Sequence, residues 1–183
     1  PAIFQLGAAA FLLGKDVRMS ARNRERWGVS PEAAARCVTL GGGRRLEPLP
    51  GVRVETLTST DEGVAFLVTA DGQTVFHAGD LNWWHWAEED LAWNRNMEAN
   101  FKRYTEPLRS RRVDLAMLPL DSRLKTGGYL GPNYFLNLME VRRFLPMHQW
   151  EDFAFTDEFL SAYPQFAPIT VKIHRDGEFL GEL

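Results

Sequence analysis

The sequence predicts a mixed α/β fold in which helices cover sheets, and three patterns along the chain indicate it. Residues 37–56 hold short β-rich runs separated by turns. A β-hairpin pattern follows over residues 64–77, and beyond residue 88 strand-like apolar runs alternate with amphipathic helical stretches. Because a helix and a sheet each bury an apolar face against the other, this order favours an α/β or α+β sandwich.

The first third of the chain is predicted to combine short helices and strands. A short helix over residues 1–6 precedes a strand over residues 10–13. The helix predicted over Pro31–Ala35 has a favourable start, because Ser30 can cap it and proline suits its first turn. Tight turns and alternating apolar residues then indicate the short strands of residues 37–56.

The elements that follow have stronger signals. Two β-rich runs flank Asp71-Gly72, a favoured hairpin dipeptide. Apolar residues at helical spacing predict a long helix over residues 88–109. The other predicted elements are a buried strand over 113–120, a helix over 132–143, a strand over 144–148, a helix over 156–163, and a closing hairpin through Asp176-Gly177 whose first strand carries His174.

Length and composition narrow the possible classes of protein. A chain of 183 residues with 45% hydrophobic residues suits a single globular domain over residues 1–183. The formal charge of −3 gives no global positive field that would hold nucleic acid or an anionic membrane. The single cysteine, Cys37, excludes an intramolecular disulfide and suits the cytoplasm. No apolar run approaches the roughly 20 residues that span a bilayer.

Two segments place a potential metal ligand directly after a predicted strand. In His77-Ala78-Gly79-Asp80 the small central residues allow a sharp turn that can direct the Asp80 carboxylate inward. In Leu145-Pro146-Met147-His148 an apolar strand ends in an imidazole. A carboxylate and an imidazole on neighbouring strand ends suit zinc, manganese or iron. For either segment alone, a hydrogen-bonded structural residue is the more frequent explanation.

The combination resembles a known family. The run GVAFLVTADGQTVFHAGD, residues 63–80, resembles the hairpin of the metallo-β-lactamase fold, in the branch of ascorbate 6-phosphate lactonase-like hydrolases. The later helix, the strand over residues 113–119 and the Pro146-Met147-His148 strand end come in the matching order. The resemblance covers nearly the whole chain and implies a four-layer αββα fold.

The resemblance also implies roles for individual residues. Asp80 would bridge two metals and act in catalysis, His148 would be the last histidine ligand of the second metal, and His77 would line the site without ligating. A divalent metal, zinc first and manganese or iron as alternatives, would supply a metal-bound hydroxide. That hydroxide would attack an ester, a lactone or a phosphoester of a small molecule.

One departure from the family concerns its H-x-H-x-D-H motif, which is absent. The histidines are His77, His85, His148 and His174. The motif would fall just before residue 1, so we expect an N-terminally incomplete fold, with a genuine start at Pro1 as the alternative. Such a chain could lack the metal altogether. Where the family carries another histidine, Asp61 or Glu62 offers an oxygen ligand, although a Ser/Thr/Asp cluster is more often a capped turn.

Aromatic residues follow the signature and are candidates for a substrate pocket. Trp83 and Trp84 could form its wall and His85 could act as an acid, a base or a replacement ligand, with packing of the next helix as the alternative. Tyr129 lies in a glycine-containing segment, residues 125–129, that we expect near the edge of the site.

The sequence leaves two classes of function open. The first is a metal-dependent hydrolase, and the alternative is a non-catalytic or degenerate protein of the same fold that binds a ligand or partner through the tryptophan surface. A nuclease is disfavoured by the acidic net charge. An incomplete sandwich would expose a sheet edge, which favours pairing with a second copy as a possible homo-oligomer.

Overall fold

The computed structural model describes residues 2–181 and has the mixed α/β fold that the sequence predicts. The strands are β1 Phe11–Gly14, β2 Cys37–Leu40, β3 Arg45–Leu49, β4 Val52–Thr58, β5 Val64–Ala70, β6 Gln73–His77, β7 Arg112–Val113, β8 Leu115–Pro119, β9 Glu140–Val141 and β10 Phe144–Met147. The α-helices are α1 Ala21–Arg26, α2 Pro31–Ala35, α3 Leu91–Thr105, α4 Leu130–Leu138 and α5 Phe155–Ala162. Short 3₁₀ turns occupy Ala2–Gln5, Glu106–Leu108, Ser122–Tyr129 and Pro164–Phe166.

A six-stranded sheet is the centre of the fold within residues 2–181. Its strand order is β10-β8-β6-β5-β4-β3. The strands from β3 to β6 pair antiparallel, whereas β6, β8 and β10 are parallel to one another. The carboxyl ends of β6, β8 and β10 therefore meet at one edge of the sheet, where ligands bind in open α/β sheets.

Helices cover one face of this sheet. Leu67, Phe76 and Ala116 lie side by side across β5, β6 and β8, and all three are buried in the main core. Phe135 of α4 stacks on Phe76 with ring centroids 4.7 Å apart, and Phe101 of α3 packs into the same core. This packing holds the parallel strands, and therefore their carboxyl ends, in fixed positions.

The N-terminal part forms a small unit of its own. Strands β1 and β2 pair in parallel, and Phe4, Phe11, Leu13 and Ala33 form a second apolar cluster. Ser30 caps α2 by accepting a hydrogen bond from the Ala33 N–H at 3.1 Å, as predicted. Of the helix predicted over residues 1–6, Ala2–Gln5 is a 3₁₀ turn and Pro1 lies outside the described residues.

The central hairpin is confirmed. Ala70 pairs with Gln73 across the turn, and Asp71 and Gly72 have φ values of 50° and 76°. Positive φ at both central residues is the geometry of the type I′ turn, which matches the right-handed twist of the flanking strands.

Several predicted boundaries are wrong for local reasons. Helix α3 begins at Leu91 because the Asp90 carboxylate caps it, and it passes into a 3₁₀ turn at Glu106–Leu108, which contains Pro107. Helix α4 covers Leu130–Leu138 rather than residues 132–143, because residues 140–141 pair as β9.

The prediction of a closing hairpin is also wrong. Residues 171–181 contain no strand, and β pairing there is limited to a bridge between Phe144 and Thr170. The backbone N–H of His174 donates instead to the Glu178 carboxylate at 2.8 Å. This local side-chain hydrogen bond closes a turn in place of a strand pair.

None of the helices in residues 2–181 combines the length and apolarity needed to cross a membrane. The single-domain organisation of residues 1–183 and the cytoplasmic location stay predictions.

Candidate metal centre

Three parallel strand ends bring two carboxylates and one imidazole together. Asp80 follows β6, Asp121 follows β8, and His148 follows β10. The turn after β6 depends on Gly79, which has a φ of 56° and whose Cβ, if present, would lie 3.1 Å from the Val64 carbonyl oxygen. Small residues between His77 and Asp80 are therefore required by the backbone, as the sequence predicted.

His148 lies between the two carboxylates. Its Nδ1 is 2.9 Å from Oδ2 of Asp121, and its Nε2 is 3.8 Å from Oδ1 of Asp80. The indole Nε1–H of Trp150 also lies 3.1 Å from Nδ1. An indole only donates, so Nδ1 either accepts from Trp150 or carries a proton and donates to Asp121.

The negative charge of Asp121 favours the second arrangement. In that tautomer, the neutral ring presents the lone pair of Nε2 to the Asp80 carboxylate oxygen. Two lone pairs facing each other repel, unless a metal ion lies between them or a second proton makes the ring an imidazolium that pairs with Asp80. A histidine that donates its other N–H to a carboxylate is also the usual support of a metal-binding imidazole.

Asp121 is anchored from its other side by Arg123. The side chain of Asp121 is 0% exposed, and Arg123 donates to it from Nε at 2.9 Å and from a terminal guanidinium nitrogen at 2.6 Å. Burial opposes ionisation of Asp121, yet the hydrogen bonds from Arg123 and His148 lower the pKa of the carboxyl below its ordinary value. Asp121 is therefore a buried, fixed anion that orients the imidazole.

Aromatic rings enclose this group. The Arg123 guanidinium lies 4.4 Å from the ring centroid of Trp150 and 5.5 Å from that of Trp86. The Trp84 ring lies 5.5 Å from the His148 ring, and its indole N–H donates to the backbone carbonyl of Asp80 at 3.0 Å. Trp84 therefore contacts both His148 and the backbone of Asp80, and its place in the wall of a substrate pocket stays a prediction.

The negative charge of Asp80 is only partly compensated by its surroundings. Desolvation raises the pKa of its carboxyl, His148 opposes this, and the charges of Asp61 and Asp16 raise it further. Thr60 holds this arrangement: its hydroxyl donates to the Asn82 carbonyl at 2.7 Å and accepts from the Asn82 N–H at 3.1 Å. The loop that carries Asp61 is thereby attached to the Asp80 turn.

The Asp80–His148 pair fits a shared metal, but the ligand set is incomplete. Zinc binds nitrogen and oxygen ligands at about 2.0–2.2 Å, so two ligands of one ion lie at most about 4.3 Å apart. The separation of 3.8 Å satisfies that limit. Within residues 2–181, however, no group of three or more histidine, cysteine, aspartate or glutamate side chains is placed to hold a metal.

The predicted pocket residues divide into two groups. His77 ends β6, its Nδ1 accepts the Gly79 N–H at 3.0 Å, and desolvation lowers the pKa of its imidazole. It thereby supports the Asp80 turn. Asp61 is exposed beside Asp80, and Trp84 borders His148.

The other three predicted positions have different surroundings. Trp83 packs towards α3, with the Lys102 ammonium 4.6 Å from its ring centroid, as the packing alternative had it. His85 lies against Gly127, where an added Cβ would come within 2.7 Å of the His85 carbonyl oxygen. The expectation for Tyr129 needs correction: its side chain is buried against Phe155 and Phe159 in the core, because Ser122–Tyr129 folds as a 3₁₀ turn.

Four residues of the site were not predicted from the sequence: Asp121, Arg123, Trp150 and Asp16. Asp121 had a usable signal, because it directly follows the buried strand Leu115–Pro119 and Leu120, as Asp80 and His148 follow theirs. Arg123 and Trp150 had no such signal, since neither belongs to a motif or to a periodic pattern. Asp16 reaches Asp80 only through the packing of the N-terminal unit.

The backbone around His148 is strained. His148, Trp150 and Glu151 have φ values of 65°, 51° and 66°. Left-handed conformations are uncommon for residues other than glycine and tend to persist where surrounding contacts enforce them, often at functional sites. The contacts of His148 with Asp121 and Trp150 provide that enforcement here.

Comparison with known proteins identifies the fold and not the reaction. No protein-family model and no curated protein matches the sequence. Among solved structures, a candidate metal-dependent hydrolase from Parabacteroides distasonis is 12% identical over 92% of this chain and 66% of that chain, with a TM-score of 0.51. A variant of the β-hydroxylase CmlA is 10% identical over 90% of this chain and 38% of its own, with a TM-score of 0.57.

A third structure is less similar. A candidate zinc-dependent hydrolase of the metallo-β-lactamase superfamily from Thermotoga maritima is 16% identical over 69% of this chain and 58% of that chain, with a TM-score of 0.42. This chain therefore spans two thirds or less of the length of each structure. At these identities the similarity establishes the fold alone: the chain shares the mixed α/β fold of the Parabacteroides distasonis protein and of CmlA.

Proposed function

We propose that this chain is the metal-binding part of a metal-dependent hydrolase, with Asp80 and His148 as ligands. One observation carries the proposal: Nε2 of a histidine oriented by Asp121 faces Oδ1 of Asp80 at 3.8 Å. That geometry suits a cation shared by the two atoms, either a metal ion or the proton of an imidazolium. The raised pKa of the Asp80 carboxyl supports the same conclusion, because a bound cation would stabilise its ionised form.

The residues of this chain have distinct tasks in the proposed site. A divalent metal supplies a Lewis acid and lowers the pKa of a bound water. Asp121 holds the imidazole of His148 in the tautomer that leaves Nε2 available, and Arg123 keeps Asp121 ionised and fixed. Trp84 excludes water from one side of His148 and anchors the Asp80 turn.

The finer assignments are part of the proposal. We assign zinc as the metal, with manganese or iron as alternatives, and an ester, lactone or phosphoester of a small molecule as the substrate, as in the ascorbate 6-phosphate lactonase-like branch. The structural similarity to a candidate metal-dependent hydrolase supports a hydrolase, whereas the CmlA β-hydroxylase shows that the fold also serves other reactions.

Further ligands are needed to complete the site. Asp61 is the first candidate, because its charge already raises the pKa of Asp80. The remaining ligands would come from an H-x-H-x-D-H segment, as in the family that the sequence resembles.

Elemental analysis tests the proposal. After equilibrium dialysis against zinc, the wild-type chain is expected to hold more metal than Asp80→Ala and His148→Ala. Asp157→Ala and His174→Ala are matched controls, because both residues are exposed and neither lines the cavity beside His148. Retention of the same metal by Asp80→Ala and His148→Ala as by the wild-type chain would refute the ligand assignment. Hydrolysis of an aryl ester, a lactone and an aryl phosphate by metal-loaded protein then identifies the substrate class.

The alternative is a non-catalytic protein that binds a partner through its aromatic surface. It is favoured by the 62% exposure of Trp150 and by the incomplete ligand set of residues 2–181. In that case, metal content stays at background and hydrolysis is undetectable, while Trp150→Ala abolishes partner binding. A homo-oligomer and a cytoplasmic location stay predictions that sedimentation and fractionation can test.

A further inference from the structure

The opposite end of the sheet carries a second candidate site, which nothing in the proposed hydrolase uses. Strand β4 runs parallel to β6, so Thr58 lies towards the metal centre and Arg53 points to the far end. Arg53 and Thr58 are five positions apart in the strand, which corresponds to roughly 16 Å. Along this face Leu57 is in the core, whereas Glu55 and Arg53 are progressively more exposed, because helix α3 ends at Thr105.

Two adjoining cavities lie along this face: the first is at the uncovered end beside Arg53, and the second extends along β4 as far as Thr58. Their volumes are about 560 and 490 Å³, and both are lined by Arg45, Glu55 and Arg111. Cavities of this size accommodate small molecules. One wall of the second cavity is apolar and contains Leu57, Tyr104 and Pro107.

The lining is strongly basic. We call arginines 44, 45, 53, 103 and 111, together with Glu55, the arginine groove. With Glu47 included, five arginines and two glutamates line the cavities. This formal excess of three positive charges stands out in a chain whose net charge is −3.

Glu55 organises the groove. Its carboxylate accepts two hydrogen bonds from the Arg111 guanidinium and one from Nε of Arg45 at 3.0 Å. The hydrogen bond from Arg111 lowers the pKa of Glu55, although burial opposes this, so the carboxylate stays ionised. Two arginines are thereby held in fixed directions before any ligand arrives.

Two other arginines have unused donors. The side chains of Arg44 and Arg53 are exposed and have no hydrogen bond or ion pair to any other residue in the part of the chain that the structure describes. A guanidinium has five N–H donors, and its planar shape matches the oxygens of a phosphate group.

We propose that the arginine groove binds a phosphorylated small molecule that carries a ring, with the chemistry of a nucleoside diphosphate. The phosphates would lie against Arg44, Arg53 and the outer N–H groups of Arg111, since a diphosphate balances the excess positive charge. The ring would lie against Tyr104 and Pro107. The groove is short, contains Glu55 and is flanked by Glu47, so its charge favours a compact anion over a nucleic acid.

Titration calorimetry tests this proposal with the full chain in the presence of a chelator, which removes any contribution of the metal centre. The probes are ADP, pyrophosphate and adenosine at low salt, where charge contacts are least screened. ADP is expected to bind more tightly than either of its parts. Pyrophosphate binding as tight as that of ADP would overturn the ring site, and the absence of ADP binding would overturn the proposal.

Variants that remove arginine charges test where ADP binds. The double variant Arg44→Gln/Arg53→Gln is expected to weaken ADP binding at least about tenfold, because it removes charge-assisted hydrogen bonds to phosphate. Arg22→Gln/Arg95→Gln is the matched control, since it removes the same charge from exposed helix positions and is expected to leave binding within about twofold. Equal weakening in both variants would mean that a general charge effect, and no site, holds the nucleotide.

A third variant separates the ring contact from the phosphate contacts. Tyr104→Leu keeps apolar volume in this half-buried position and is expected to weaken ADP binding while leaving pyrophosphate binding unchanged. Tighter binding of a short single-stranded RNA than of ADP, with a steep dependence on salt, would overturn the small-molecule assignment in favour of nucleic acid.

Discussion

The two ends of the central sheet give a carboxylate opposite electrostatic surroundings. At the arginine groove, Glu55 lies between Arg111 and Arg45, and its pKa is lowered. At the metal centre, Asp80 has a histidine at 3.8 Å as its nearest ion-pair partner and two further carboxylates in its field, and its pKa is raised. The first acid is compensated by the protein, whereas the second is left for a ligand to compensate.

The metal centre contains both kinds of acid, and His148 lies between them. Asp121 is fully buried and paired with Arg123, and it orients the same histidine that faces Asp80. The compensated acid positions the imidazole, and the uncompensated acid offers its charge. Removing the partner of Asp121 should therefore lower the stability of the fold strongly, and removing a partner of Glu55 should lower it moderately. Removing the charge of Asp80 should raise the stability.

The greatest loss of stability should come from Arg123→Gln, which leaves the Asp121 charge buried without its partner. We expect the free energy of unfolding to fall by about 2–4 kcal/mol, at the lower part of the range for broken buried pairs because Arg123 is partly exposed. For a domain of this size the melting temperature would fall by about 5–12 °C. The double variant Asp121→Asn/Arg123→Gln should recover most of the loss. Equal losses in the single and double variants would show that the arginine acts only by packing on Trp150.

The pH dependence of the same pair is the next test. The folded pKa of Asp121 is below its ordinary value of about 3.9, so the pair stabilises the fold above that pH and loses its effect as pH falls through the folded value. The stability difference between the wild-type protein and Asp121→Asn should be constant from about pH 7 to 5 and shrink below about pH 4. Urea unfolding at several pH values measures it. A difference that grows in acid would contradict the assigned direction.

Removal of the Glu55 partners should have smaller effects. Arg111→Gln should cost about 1 kcal/mol and Arg45→Gln less than about 0.5 kcal/mol, because Arg45 is exposed and water screens its ion pair. Chemical unfolding of the two variants compares them directly. A larger loss for Arg45→Gln than for Arg111→Gln would reverse the order of the two contacts.

The effect expected for Asp80 is also small and has the opposite sign. Because the folded pKa of Asp80 is raised, its ionised form disfavours the fold above that pKa, and this cost disappears as pH falls below the unfolded value. Asp80→Asn should therefore stabilise the metal-free chain at pH 7 by less than about 1 kcal/mol, a modest effect because 40% of the side chain is exposed. The gain should vanish near pH 3. A destabilised Asp80→Asn variant in the presence of a chelator would show that the protein itself satisfies this carboxylate.

The sequence predicted the elements that depend on local chemistry. Asp71-Gly72 forms its turn, Ser30 caps its helix, and Asp80 and His148 meet because both follow parallel strands. Prediction from the sequence failed where contacts between residues far apart in the chain determine the structure. Residues 171–181 have a hairpin-like dipeptide but no strand to pair with, so Glu178 closes a turn instead.

The site was predicted in part for the same reason. The two proposed ligands stand next to strand ends, which a pattern can show. Arg123, Trp150 and the five arginines of the groove come from loops and separate strands, and only the packed fold brings them together. Tyr129 shows the reverse error, because a glycine-rich segment resembles a surface loop until its aromatic residue is found in the core.

Zinc affinity, measured by competition with a chromophoric chelator, decides whether Asp121 holds His148 ready to bind a metal with Asp80. We expect that His148→Gln and Asp80→Asn lose binding, and that Asp121→Asn weakens it by about 10–100-fold although Asp121 does not touch the metal. Arg53→Gln, at the other end of the sheet, should leave the affinity unchanged. Undiminished zinc binding in His148→Gln, Asp80→Asn and Asp121→Asn would contradict the proposed roles of all three residues.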